Sequence, residues 1–122
     1  MIKITKINWL SKEALEAEVT VSDGRFELVC FSQPFNYMVN DVVKTWLYGY
    51  KVSNVIREQN KEFKVEKLYD FFDYSLTGKL ANKEESIVEI GNIKIEVQNA
   101  DLPGDIEGGD YISFNCKRID IY

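Results

Sequence analysis

The residues able to do chemistry in this chain are few, and their types exclude more than they suggest. There is no histidine, so imidazole acid–base catalysis and histidine-containing nucleophile triads are ruled out. The two cysteines, Cys30 and Cys116, stand far apart without a paired metal-ligand spacing. Each falls on the apolar phase of its segment, which reads as a buried free thiol rather than a disulfide. No Walker-type phosphate loop, Gly-x-Gly-x-x-Gly or Gly-x-Ser-x-Gly occurs. A carboxylate pair of the glycosidase kind needs only Asp and Glu. A carboxylate-dependent enzyme therefore remains an alternative, although no pair is marked by its context. Asp101, Asp105, Glu107 and Asp110 offer oxygen ligands, but their spacing departs from an EF-hand loop, so turn roles are preferred over calcium. Asp70 and Asp73 read as solvated. The expectation is a non-catalytic chain without metal or cofactor.

Three sets of residues are candidates for binding instead. Trp46, Tyr48 and Tyr50 alternate along one strand, where rings can stack bases or sugars or anchor a protein partner. Val52 continues the same phase, so filling the core is the favoured reading of these rings, and Leu47, Gly49, Lys51 and Ser53 become the solvent side. Glu16, Glu18 and Glu27 form an acidic strip that would attract a basic partner, against the plainer reading of a solvated, aggregation-resistant strand face. Val29 and Phe31 lie opposite the core phase of their strand and form a small apolar contact patch, unless Pro34 to Met38 folds over them.

The elements that must position these residues are mostly strands. Asp23-Gly24 marks a tight hairpin turn, with Val21 expected opposite Phe26, Val19 opposite Leu28 and Ala17 opposite Cys30. Gly91-Asn92 marks a second, with Ile90 opposite Ile93, Val88 opposite Ile95, and Glu89 opposite Lys94 on the other face. Residues 44–53 and 73–81 read as strands, the latter placing Tyr74, Leu76, Gly78 and Leu80 on one face. Val65, Leu68 and Phe72 follow helical spacing, which predicts one helix over roughly residues 58–72. Residues 99–110 read as a loop. Two strands change phase. Ile2 and Ile4 give way to Ile7 and Trp9, and Ile112, Phe114 and Cys116 give way to Ile119 and Ile121. An extra residue near Thr5-Lys6 and near Lys117-Arg118 accounts for both. If those two strands paired, they would close a barrel, with Tyr111, Ser113, Asn115 and Lys117 facing outward.

These elements assemble into a single mainly-β domain over residues 1–122: a small, partly open β-barrel with one helix, or alternatively a β-sandwich. The order of strands, helix and strands resembles that of oligonucleotide/oligosaccharide-binding barrels. The resemblance lies in element order alone. It implies single-stranded nucleic acid or oligosaccharide as an alternative ligand. The net charge of −5 disfavours a polyanion, and Glu58, Glu62 and Glu66 are interleaved with the loose cluster of Lys51, Arg57, Lys61, Lys64 and Lys67. No apolar stretch reaches signal-peptide or membrane-span length, so a cytoplasmic protein without membrane contact is expected. The combined expectation is a protein-binding module, either an acidic neutralising (immunity- or inhibitor-type) partner of a basic protein or an accessory domain of a larger assembly.

Overall fold

The computed structural model describes residues 1–68, 72–97 and 102–122. Among them are twelve strands and no helix: β1 (Ile2–Ser11), β2 (Glu16–Ser22), β3 (Glu27–Ser32), β4 (Val42–Val43), β5 (Leu47–Tyr50), β6 (Ser53–Glu58), β7 (Lys64–Lys67), β8 (Tyr74–Asn82), β9 (Ile87–Ile90), β10 (Ile93–Glu96), β11 (Tyr111–Cys116) and β12 (Arg118–Asp120). They form one sheet in the order β4-β1-β2-β3-β12-β5-β10-β9-β8-β11-β6, with β7 on β8. The sheet is open, not closed into a barrel. Its inward phases, from Ile4, Val19, Leu28 and Cys30 through Ile95, Val88, Leu76 and Phe114 to Ile119, belong to one buried cluster. No helix among the described residues is long and apolar enough to cross a membrane.

The second hairpin has the expected register, with Ile90 opposite Ile93, Glu89 opposite Lys94 and Val88 opposite Ile95. The first is displaced by two residues, so Val21 faces Leu28, Val19 faces Cys30 and Ala17 faces Ser32. The Asp23 side chain is the reason. Its Oδ1 accepts from the amides of Arg25 (2.9 Å) and Phe26 (2.8 Å), closing a four-residue loop where a two-residue turn was expected. Its Oδ2 accepts from the Asn92 amide (2.8 Å), which ties this loop to the turn of the other hairpin. A shift of two leaves every side chain on its expected face.

The expected helix over 58–72 is replaced by β6 and β7 in the described part of that span; residues 69–71 lie outside it. Val65 pairs with Leu76 and packs on the core, and Phe63 packs there two residues earlier. A period-two pair thus overrides the helical spacing, and the segment offers no helix cap to resist it. On β8, Tyr74, Leu76, Gly78 and Leu80 are all buried, as expected. Gly78 lies so close to β9 that a Cβ there would stand 2.6 Å from the Glu89 carbonyl oxygen.

Both phase changes are present. The β1 register slips between Ile4 and Lys6, and Lys117 separates β11 from β12. The expected pairing of the two end strands is not. β1 pairs with β2 and β4, whereas β12 inserts parallel to β3 and antiparallel to β5. The tail joins two halves of an open sheet and closes no barrel.

Candidate functional site

The switch at Lys117 decides what β12 presents. With Cys116 buried and one residue skipped, Ile119 and Ile121 return to the core, both 0% exposed. Arg118 and Asp120 are thereby turned to the opposite face. Cross-strand partners share a face, so the pairings Asn8–Glu18, Glu18–Phe31, Phe31–Asp120, Asp120–Tyr48 and Tyr48–Glu96 define one row across six strands. Arg118 stands opposite Tyr50 in the neighbouring row.

Arg118 is the centre of this face. Its Nε donates to Asp120 Oδ1 at 2.6 Å and its Nη2 to Asp120 Oδ2 at 3.1 Å, a two-point ion pair. The hydrogen bonding to Asp120 is the main reason the guanidinium pKa lies above its ordinary value. The guanidinium carbon also lies 4.5 Å from the Phe31 ring centroid and 4.6 Å from that of Tyr50, within cation–π range. These rings come from the strands on either side of β12. Phe31 meets Phe72 edge-on at 6.1 Å, and Tyr48 meets Tyr122 edge-on at 5.0 Å. The Tyr37 hydroxyl donates to the Tyr122 carbonyl oxygen at 3.0 Å. Asp120 is only 6% exposed beneath these groups, while Tyr50 is 42% exposed. A shallow cavity of about 190 Å³ opens between Phe31, Gln33, Arg118, Asp120, Ile121 and Tyr122.

The candidate residues divide accordingly. Phe31 and Tyr50 come together on Arg118, and Tyr48 stands opposite Asp120 against Tyr122. Glu18 stands next to Phe31, and Glu16 is half-buried with its Oε1 accepting from Gln33 Nε2 at 3.4 Å. Glu27 lies at the far, exposed end of β3. Val29 is half-buried and packs against the core, and its amide donates to the Tyr74 hydroxyl at 2.8 Å. Burial raises that hydroxyl's pKa to about 12. Trp46 precedes β5 and lines a separate groove of about 340 Å³ with Ile2, Val43, Lys44, Thr45 and Lys94. Its buried indole Nε1 has no partner among the described residues.

Tyr48 and Tyr50 do not fill the core, against the expectation for these rings. Leu47 and Gly49 are the buried pair on β5, and Tyr48 and Tyr50 face away from them. Val52 misled because the chain turns between the two. Lys51 adopts φ +51°, and Val52 comes round to within 3.0 Å of where a Gly49 Cβ would be. Arg118 and Asp120 were missed for a related reason. The outward phase of Tyr111, Ser113, Asn115 and Lys117 holds only up to the break. Carrying the phase change through would have turned Arg118 and Asp120 outward together.

The other candidate groups are engaged elsewhere. Cys30 and Cys116 are buried and form no disulfide. Burial is the main cause raising both thiols, Cys116 to about 12, so neither supplies a thiolate near neutral pH. Asp105 pairs with Arg57 at 3.7 Å, and Asp110 Oδ2 accepts from the Glu107 amide at 2.9 Å. Asp70 and Asp101 lie outside the described residues. Glu58 and Glu62 line a groove of about 190 Å³ with Asn60, Phe63, Lys64 and Thr77, and Glu58 accepts there from the Ser113 hydroxyl at 2.8 Å. Among the described residues, no three His, Cys, Asp or Glu gather as a metal site. No protein-family model, curated protein or solved structure matches this chain.

Proposed function

We propose that this protein is a non-catalytic protein-binding module that docks through the outward face of β3, β12 and β5. The observation that carries this reading is the arrangement of Arg118 against Phe31 and Tyr50, with Tyr48 and Tyr122 alongside. Arginine and tyrosine are, with tryptophan, enriched at the energetic centres of protein interfaces. Here the side chains are already held by ring contacts and an ion pair, so little rotamer freedom is lost on binding. Glu16 and Glu18 border the patch, and the chain carries a net charge of −5. A partner with basic residues around its contact point fits that rim and is steered toward it. An inhibitor- or immunity-type neutraliser of a basic protein is one form of this function, and an accessory domain of a larger assembly is another. A single-strand binder needs cations beside its rings. On this face Lys51 lies 5.5 Å from the Tyr50 centroid, but Glu18, Asp120 and Glu96 share the row, which favours a protein partner.

The test is affinity capture from an extract of the source cell with wild-type and Tyr50→Ala baits, compared by quantitative mass spectrometry. Tyr50 is exposed enough for its truncation to spare the core. The expected result is a partner that wild type retains and Tyr50→Ala loses. The same set of proteins on both baits contradicts the reading.

A further inference from the structure

We infer that the docking face takes a carboxylate: the open edge of the Arg118 guanidinium receives an Asp or Glu side chain of the partner, set among that partner's basic residues. This rests on the docking reading above and names the chemistry of its contact point. A guanidinium is a planar fork of five N–H donors. Asp120 takes the Nε edge, at 2.6 Å to Nε and 3.1 Å to Nη2. Phe31 and Tyr50 approach from the flanking strands, with centroids 4.5 Å and 4.6 Å from the guanidinium carbon. That leaves the edge formed by Nη1 and the second Nη2 hydrogen. No acceptor meets Nη1 among the described residues, and the side chain is 33% exposed. Two parallel N–H donors on one edge are the complement of a carboxylate. The guanidinium is already oriented, so binding orders nothing further on this side.

Local charge selects among anions. Asp120 already neutralises the single guanidinium charge, Glu18 stands opposite Phe31, and Glu16 accepts from Gln33 of the cavity lining. A dianion such as phosphate would meet more repulsion than attraction. A single carboxylate flanked by cations satisfies both parts of the face, its oxygens meeting Arg118 and its flanking cations meeting the glutamates. A chain-terminal carboxylate is usually captured by a nest of backbone amides. The shallow cavity beside Arg118 is lined by Phe31, Gln33, Asp120, Ile121 and Tyr122, and the Ile121 amide there already donates to the Phe31 carbonyl oxygen at 3.0 Å, which favours a side-chain source.

The test uses nitrogen-15 NMR of the intact protein, following the Arg118 Nε–H and the Tyr50 and Phe31 amides. The probes are two acetylated, amidated tripeptides, Lys-Glu-Lys and Lys-Gln-Lys. Saturable shifts are expected with the glutamate peptide, and binding at least about tenfold weaker with the glutamine peptide. Arg118→Lys keeps the charge and loses the fork, so it erases the difference. If that variant fails to fold by circular dichroism, the comparison of peptides on wild type still decides. Failure of this inference differs from failure of the docking reading. If the peptides bind alike while Tyr50→Ala loses the captured partner, only the carboxylate is wrong; if Tyr50→Ala keeps the partner, the docking face itself is wrong. Equal binding of the two peptides, no shift with either, or a preference that survives in Arg118→Lys overturns the inference.

Discussion

Replacing Asp23 with alanine removes one carboxylate and three hydrogen bonds at once. The lost donors are the amides of Arg25, Phe26 and Asn92. A protein hydrogen bond contributes about 0.5–1.5 kcal/mol net, and more when one partner is charged. These amides lie at a rim that water reaches, so the lower part of the range applies and the expected loss is about 2 kcal/mol. That is a large share of the roughly 5–15 kcal/mol by which a domain is stable. In urea unfolding it appears as a midpoint lower by about 1 M at unchanged slope. Asp23→Asn keeps an oxygen for the Arg25 and Phe26 amides but turns an NH₂ group toward the Asn92 amide, so its loss falls between wild type and alanine. The pH dependence has a definite sign. Burial pushes the Asp23 pKa up, but the Asn92, Phe26 and Arg25 amides outweigh it and the net shift is downward. A carboxyl with a depressed folded-state pKa contributes stability above its unfolded value of about 3.9, lost as pH falls through the folded value. The gap between wild type and Asp23→Asn is therefore constant near neutral pH and narrows below about pH 4. A midpoint change worth less than about 0.5 kcal/mol, or a gap that persists unchanged into strong acid, refutes the reasoning.

Three further outcomes follow from the packing. Gly78→Ala places a methyl 2.6 Å from the Glu89 carbonyl oxygen and 2.7 Å from Val88 Cγ1, so β9 must shift; thermal unfolding should show a loss of about 1–3 kcal/mol, and an unchanged melting temperature contradicts the close approach. Ser32→Ala removes a buried hydroxyl without a partner among the described residues, so stability should hold or rise by about 1 kcal/mol, and a clear fall in melting temperature would mean the hydroxyl is bonded. Deleting Arg118 to Tyr122 removes β12, the ladder that joins β3 to β5; calorimetry should find no cooperative transition, and a sharp one would show that the two parts of the sheet hold together without it.

Strand phase was the most legible property of the sequence. Alternation placed Val19, Leu28, Ile93, Ile95 and Phe114 on the core side, and both phase breaks were visible as odd spacings between apolar residues. Pairing partners were less legible. The insertion of β12 between β3 and β5 depends on contacts between residues about ninety positions apart, and no local pattern encodes them. The first hairpin shows the limit at short range. Asp23-Gly24 marked the turn, but its length was set by the Asp23 carboxylate, whose Oδ1 takes the Arg25 and Phe26 amides while its Oδ2 reaches Asn92 in another hairpin. The helix over 58–72 failed because Val65, Leu68 and Phe72 fit a helical stripe as well as a broken strand pattern, and pairing with β8 decided for strand. The site was half legible. Phe31, Tyr48 and Tyr50 stood out by residue type, whereas Arg118 and Asp120 looked like ordinary charges until the residue skipped at Lys117 was carried through to the face they occupy.

The docking face is tested most directly by titration calorimetry of the captured partner against wild type, Tyr50→Ala and Ile56→Ala. Ile56 is 58% exposed on β6, at the opposite end of the strand order from β4 and outside the proposed face, so it controls for loss of any surface apolar group. The account predicts that Tyr50→Ala weakens binding by about thirtyfold, the effect of losing a central interface anchor, while Ile56→Ala stays within about twofold. Unchanged affinity for Tyr50→Ala, or a larger loss for Ile56→Ala, contradicts it.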